Sequence, residues 1–355
     1  MPSHFIGIDF HKATSYLTVL DQHGQIEKQG RIDNNREALA KFLASYQDSS
    51  AVLEAGRNWV LMYDWLEGLT QKVTLAHPLK VKAIASAKIK TDKIDAKTLA
   101  HLLRADLVPT AYVPSLDART AREILRQRMF FVKLATMTKN RIRTILDRHP
   151  ELPPSPIKNV FAPGSRDWIR SLPLAERERA IMDQDLALLD SLGTRISESN
   201  DLIESLFKTN PAAQLLKTIP GIGQFFSVLV AYEIDNIQRF DNAKKLAAYA
   251  GLVPSTYASG PKSYHGHITK QGNKYLRWAF VEAVWPAIAS DQGFRHYYDK
   301  IKEKKAANSA KVATARRISA IAYHVLKEGR PYQKEQNNMS HHMPGARLSD
   351  QIDNI

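Results

Sequence analysis

The opening third of the chain alternates apolar and polar residues first with the period of a strand, then with that of a helix. Phe5 to Asp9, Ser15 to Leu20 and Gln25 to Ile32 read as three strands, because alternation every second residue collects apolar side chains on one face of a pleated ribbon. The turn Asp21-Gln22-His23-Gly24 joins the second to the third and makes the segment a meander. Leu39, Phe42 and Leu43 mark one face of a helix from Arg36 to Tyr46, since residues three and four apart share a helix face. A strand ending at Glu54, a helix through Trp59, Met62 and Leu66, a strand over 72–76 and a helix from Thr91 to Arg104 follow; Pro109 and Pro114 close the segment.

From Ser115 to His149 the pattern turns helical without a break, with Ile124, Phe131, Leu134, Ile142 and Ile145 at three-to-four-residue offsets. Pro150, Pro153, Pro154 and Pro156 stop it. A second long helix is expected over 175–208, striped by Ile181, Leu188, Leu189, Leu192, Ile196, Ile203 and Leu206. Two such helices joined by a proline-rich turn predict an antiparallel, coiled-coil-like hairpin that buries its stripes against itself or another copy. Beyond it, the Ile219-Pro220-Gly221-Ile222-Gly223 turn between apolar flanks resembles a helix-hairpin-helix, and equally a plain helix-joining turn. Gly251 to Gly260 reads as a small-residue loop, and 275–289 and 310–327 as helices. The tail after about Gln333 is polar and is expected to be disordered. The expected class is α/β plus α. A ribonuclease H-like layout spans 1–114, a helical hairpin 115–210, a mainly helical domain 211–332 and a tail 333–355.

Charge changes the picture by being uneven. The chain carries +14 overall, and residues 211–334 hold 19 basic and 8 acidic residues, against 14 and 12 in residues 1–114. So strong a basic excess in one part marks a polyanion-binding face. No apolar run approaches the 18 residues of a membrane span. Zero cysteines remove disulfides and thiolate metal sites, and the absence of a secretory pattern leads us to expect a cytoplasmic protein.

Four carboxylates carry the candidate chemistry. Asp9 closes the apolar run Phe5 to Ile8, Glu54 closes Ala51-Val52-Leu53, and Asp92 and Asp95 open a helix at i and i+3, on one face. If the two strands are neighbours in one sheet, all four acids converge at its carboxyl-end rim, where open α/β sheets bind ligands. Two unit charges about 4 Å apart repel by roughly 4 kcal/mol at an effective dielectric near 20, so such a cluster calls for a divalent cation. Mg²⁺, with Mn²⁺ as the alternative, in a two-metal phosphodiester site is the expectation. Asp92 and Asp95 alone would equally suit a capped helix start. The nearby Lys88, Lys90, Lys93 and Lys97 suit phosphate contacts or a solvated face. Among loop serines, Ser255, Ser259 and Ser263 are equivalent on the residues alone.

The strand FIGIDFHK, the segment LEAGRNW, the run HPLKVKAIASAKIKTDKIDAKTLAHLLRADL, and the distal IPGIG and AGLVPSTYASGPKSYHGHITKQGNKYLRW together resemble the DEDD-type transposases of insertion sequences, the bridge-RNA-guided recombinases. The resemblance runs over roughly residues 4–330. It implies a RuvC-like catalytic domain, a coiled-coil middle domain and a C-terminal transposase domain with a catalytic serine. The family's acids fall on Asp9, Glu54, Asp92 and Asp95, and its serine on Ser259. It further implies DNA as substrate, a noncoding guide RNA, a homo-oligomer (dimer or tetramer) and residence at a prokaryotic nucleoid. Lys262, Lys270, Lys274 and Arg277, beside the serine, are expected on phosphates. Three other readings remain. One is a Holliday-junction-type nuclease that uses the acids to activate water, another a non-catalytic nucleic-acid-binding protein, and the last an actin-like kinase, which lacks an adenosine-binding glycine motif.

Overall fold

The computed structural model describes residues 2–85, 91–162, 164–259 and 262–334, with the backbone alone at 256–259, 262–265 and 267. Lys88, Lys90 and the tail from 335 onward lie outside the described residues. The chain divides into two compact units, Met1–Val113 and Pro114–Ile355.

The first unit is a mixed five-stranded sheet between helices. In chain order it runs β1 (His4–Phe10), β2 (Thr14–Leu20), β3 (Ile26–Asp33), α1 (Arg36–Leu43), β4 (Ser49–Glu54), α2 (Trp59–Glu67), β5 (Lys72–Ala76), α3 (Pro78–Ile84) and α4 (Asp92–Arg104). The spatial order is β3-β2-β1-β4-β5; the first three strands pair antiparallel, and β1–β4 and β4–β5 pair parallel. The expected meander and alternation are therefore present, and its turn is pinned by the Asp21 carboxylate, which accepts from the amides of His23 and Gln25. Helix α3 went unread in the pattern.

Period-two alternation splits the strand residues between two layers. Ile6, Ile8, Ala51 and Leu53 pack with Leu39, Leu43, Met62 and Leu66, so α1 and α2 cover one face. Val52 and Ala76 pack with Val81, Leu99 and Leu102, so α3 and α4 cover the other.

The second unit contains α5 (Leu116–Leu146), α6 (Ser165–Ser171), α7 (Glu176–Thr209), α8 (Pro211–Lys217), α9 (Gln224–Ile234), α10 (Ala243–Tyr249), a hairpin of β6 (Pro254–Ser259) and β7 (Lys262–Ile268), α11 (Lys274–Glu282), α12 (Val284–Ser290), α13 (Gln292–Lys302) and α14 (Ala307–Glu328). Helices α5 and α7 run antiparallel: His149 meets Glu178, Arg141 meets Asp185 and Arg128 meets Asn200. One partner number climbs as the other falls. Ala135, Ile142 and Ile145 bury against Met182, Leu186, Leu189 and Leu192. The expected stripe is corrected at two positions, since Ile181 is 44% and Leu188 49% exposed while Met182 and Leu186 line the seam. Ala118, Ala121 and Leu125 at the start of α5, with Ile203 of α7, instead join the core of α8–α14. The long helices thus belong to two cores at once.

Two further expectations change. The small-residue loop at 254–259 is a strand, paired antiparallel with β7 from Pro254↔Ile268 to Ser259↔Lys262; Thr256 and Tyr257 favour the extended chain. The helix expected over 275–289 breaks into α11 and α12 at Ala283: Pro286 has no N–H to donate, so the Glu282 carbonyl four residues before it lacks its helical donor. At Gly221, with φ +86°, a Cβ would fall 2.2 Å from the Ala283 carbonyl oxygen. The Pro220-Gly221 turn is thereby packed against the α11–α12 junction, which gives its glycine a packing role.

One buried charge organises this unit. Glu233 of α9 is 0% exposed and is met by Arg122 Nε at 3.3 Å, Arg126 at 2.9 Å and the Asn273 amide at 2.7 Å. Asn273 in turn caps α11 by accepting from the amides of Tyr275 and Leu276. Removing the carboxylate leaves Arg122 held only by the carbonyls of Tyr232 and Glu233, its buried charge without a counterion, and takes away the acceptor of the Asn273 amide. Glu233→Ala is expected to cost about 3–5 kcal/mol in urea unfolding, as when one member of a buried pair is deleted, and Glu233→Gln less.

At the far end of the helix pair, hydrogen bonds to Glu151 and then Glu178 raise the His149 pKa above its ordinary 6.5. A raised histidine contributes stability fully present below its unfolded pKa and lost as pH rises through the folded one. Thermal melts taken upward from about pH 6 should show a decline that His149→Gln flattens; equal slopes for both proteins would refute the clamp.

Candidate metal centre

Gly7 sets the site. Its Cβ, if present, would lie 2.0 Å from the Ala96 carbonyl oxygen and 2.5 Å from the Ala100 amide nitrogen, so α4 rests on the bare backbone of β1. Asp92, Ala96 and Ala100 share one helix face at i, i+4 and i+8, while Gly7 and Asp9 share one strand face at i and i+2. Four helical residues rise about 6 Å and two strand residues about 6.6 Å. Stepping from the Gly7 contact toward the rim therefore brings Asp92 level with Asp9.

The same arithmetic applies one strand over. Ile8 pairs with Leu53 in the parallel register, so the next residues, Asp9 and Glu54, stand on the same face at the carboxyl ends of adjacent strands. Val52 clusters with Leu99; Glu54 lies two strand residues and Asp95 one helical turn beyond them. Thr91 accepts from the Ile94 amide and starts α4 at the rim, which places Asp92 and Asp95 in its first turn.

Of the four expected acids, the structure brings Asp9 and Asp92 within ligand distance of a common point, together with His11, a residue the sequence reading did not select. His11 Nε2 lies 3.2 Å from Asp9 Oδ2 and 3.3 Å from Asp92 Oδ1. The other oxygen of Asp92 accepts from Arg31 at 2.7 Å. Asp9 pairs with Tyr16 and Tyr16 with Arg31, so Arg31 stands on the same row of the sheet two strands away. The spacing Asp9-Phe10-His11 carried the signal for His11, since i and i+2 share a strand face. Arg31 became visible only through strand register.

The electrostatics divide the two acids. Burial, with the charges of Asp95 and Asp92, holds Asp9 above the ordinary carboxylate value of 3.8 against the pull of His11. For Asp92, desolvation pushes upward, but the His11 hydrogen bond and charge together with Arg31 outweigh it and hold the group below 3.8. Asp95 is thus close enough to be felt at Asp9. The donors are carboxylate oxygens and one imidazole nitrogen, hard to borderline ligands that fit Mg²⁺ or Mn²⁺ and offer no thiolate.

The other expected residues lie in the second unit. Ser259 pairs with Lys262 at the end of the β6–β7 ladder, flanking residues 260 and 261; the side chains of both fall outside those described. Ser255 sits against Gly266, where a Cβ would meet its hydroxyl at 2.5 Å. Lys270 is exposed, with φ 52°, and exposed Lys274 lies over the Tyr275 ring at 5.1 Å. Arg277 donates to the carbonyls of Lys270 at 3.0 Å and Ala250 at 3.3 Å, tying two loops together.

Gly7→Ala tests the geometry. A methyl driven into helix backbone must lift α4, with an overpacking cost of about 1–3 kcal/mol or more, and should weaken Mn²⁺ binding by separating Asp92 and Asp95 from Asp9. Calorimetric titration beside urea unfolding reads both; wild-type values for each would contradict the close approach.

Comparison with known proteins gives the family. Residues 6–150 match the DEDD_Tnp_IS110 transposase family, and residues 213–299 match the family described as Transposase IS116/IS110/IS902. The chain is 24% identical to the transposase for insertion sequence element IS1111A of Coxiella burnetii over 92% of its own length and 90% of that protein. It is 25% identical to the transposase for IS1328 of Yersinia enterocolitica over 93% and 98%. It is 27% identical to the pilin gene-inverting protein of Moraxella lacunata over 94% and 99%. With family matches in both units and relatives aligned over almost their whole lengths, the chain belongs to the IS110/IS116 family of DEDD transposases, enzymes that cleave and rejoin DNA.

Proposed function

We propose that this transposase moves or inverts an insertion-sequence-like DNA segment by strand exchange through a serine nucleophile, Ser259, assisted by divalent metal at Asp9, Glu54, Asp92 and Asp95. The observation that carries the reading is the Gly7 contact, which levels Asp92 with Asp9 at one sheet rim. Residues 1–114 act as a RuvC-like domain, 115–210 as a coiled-coil hairpin and 211–332 as the transposase domain. A noncoding bridge RNA selects the DNA sites, as the family resemblance implies; backbone charge contacts themselves carry no base information.

Strand exchange conserves a phosphodiester bond. The Ser259 hydroxyl attacks phosphorus, the 3′ or 5′ oxygen of the DNA leaves with a proton, and the ester is held on serine until an incoming hydroxyl reverses the step. Mg²⁺ or Mn²⁺ supplies charge stabilisation at the phosphate and the leaving oxygen. The protein's own part is to hold the four acids against their mutual repulsion, with Arg31 fixing the outer oxygen of Asp92. Lys262, Lys270 and Lys274 flank the serine in sequence and bind backbone phosphate, while Arg277 keeps that loop in shape.

A homo-oligomer also follows. Phe130 and Met137 on α5, and Ile181, Leu188 and Leu202 on α7, are large apolar residues left exposed on the helix pair, more than a solvated hairpin needs. Among the described residues no helix is long and apolar enough to cross a membrane, and the proposed site of action is the nucleoid in the cytoplasm.

A DNA substrate built so that it cannot religate tests the nucleophile. The wild-type protein should form an adduct that survives denaturation and maps to Ser259. Ser259→Ala should lose the adduct and recombination while retaining DNA binding and metal uptake; Ser255→Ala and Ser263→Ala should keep all four. If Ser259→Ala still cuts DNA with Mg²⁺ near the wild-type rate, the acids activate water and the junction-nuclease reading replaces this one.

A further inference from the structure

The four acids of the proposed metal centre leave His11 unexplained. It follows Asp9 by two residues, at the start of the turn into β2, where its amide donates to the Thr14 carbonyl at 3.2 Å. Its Nε2 faces two carboxylates at once, 3.2 Å from Asp9 and 3.3 Å from Asp92. One imidazole nitrogen carries at most one hydrogen and can serve only one acceptor well. Charge-assisted N–H···O contacts also settle at about 2.7–2.9 Å, shorter than either separation. Donor atoms on adjacent corners of an octahedron with metal–ligand bonds of about 2.1 Å stand roughly 3 Å apart, which both separations approach. The inner oxygen of Asp92 faces this point because Arg31 takes the outer one at 2.7 Å, the kind of support that orients a ligating carboxylate. His11 is 51% exposed, so its ring is not held there by packing.

We infer that His11 is a metal ligand in this centre, its Nε2 binding beside one oxygen each from Asp9 and Asp92, and that the nitrogen donor biases the site toward Mn²⁺ over Mg²⁺. The inference rests on the metal reading above and adds a donor outside the four acids. Imidazole suits the later first-row divalent ions, whereas Mg²⁺ prefers oxygen and keeps its waters. The two remaining acids, Glu54 and Asp95, lie one strand and one helical turn away and face the adjoining part of the rim.

Electron spin-echo spectroscopy of Mn²⁺ bound to the full-length protein reads the ligand directly, independently of catalysis. Wild type should show modulation from a directly bound ¹⁴N that changes to the ¹⁵N pattern when histidine is ¹⁵N-labelled. His11→Gln should lose it and bind Mn²⁺ at least about tenfold more weakly, the loss expected even from groups one shell further out. His11→Asp should recover Mg²⁺ affinity and narrow the Mn²⁺ preference without restoring the nitrogen signal. Because the side chain is exposed, circular dichroism of both variants should match wild type. Mn²⁺ bound through Asp9, as shown by its loss in Asp9→Asn, but with no nitrogen coupling and unchanged affinity in His11→Gln, would overturn the role of His11 and leave the metal centre standing. Absence of any Asp9-dependent Mn²⁺ binding would overturn both.

Discussion

The contact between the backbone of Gly7 and that of α4 is the constraint on which the first unit depends. A helix usually rides on strand side chains at a distance set by their bulk; here one missing side chain lets Ala96 and Ala100 touch the strand itself. Small residues on both partners achieve this, and Leu99 and Leu102 pack beside the contact against Val52 and Ala76. Because the rises of helix and strand nearly match over one turn, the close approach at Gly7 is transmitted to the rim with little loss. The acids are held by packing several ångströms away from them.

That support matters because the acids do not hold themselves. Burial first, and then the charges of Asp95 and Asp92, raise the pKa of Asp9. At Asp92, His11 and Arg31 more than offset desolvation and hold the group low. Glu233 in the second unit shows the opposite use of a carboxylate. It is fully enclosed, faces two guanidiniums and an amide, and has its acceptor oxygens committed to neighbours on α5 and α11. A satisfied buried charge of this kind specifies how helices meet. A cluster of half-exposed acids with an excess of negative charge instead leaves electrostatic demand for a ligand.

The second unit uses its long helices for two purposes. The start of α5 is part of the core that carries the β6–β7 hairpin's flanking helices, through Ala118, Ala121 and Leu125 and through Arg122 on Glu233. Its far half pairs with α7 and keeps apolar residues on the outside. Asn273 links these parts, since the amide that reaches Glu233 belongs to the residue that starts α11 beside Lys274 and Arg277.

The sequence by itself determined the strands of the first unit, the two long helices and the positions of the acids, because period-two and helical spacing are local consequences of backbone geometry and because Asp9 and Glu54 each end an apolar run. Tertiary structure decided what depends on pairing between distant segments. Arg31 reaches Asp92 only through the register β1–β2–β3. His11, an exposed polar residue at a turn, looks like solvated surface until two carboxylates meet it. Ile181 and Leu188 have the right helical spacing but lie off the seam, which Met182 and Leu186 occupy, since a broad apolar stripe does not say which edge a partner will cover. Strand β6 pairs with β7; Thr256 and Tyr257 favour an extended chain, but the small residues around them do not name that partner. Gly7 is the sharpest case: a glycine in a strand signals a close approach of backbone, yet only the fold reveals that the approaching backbone is the helix bearing Asp92 and Asp95.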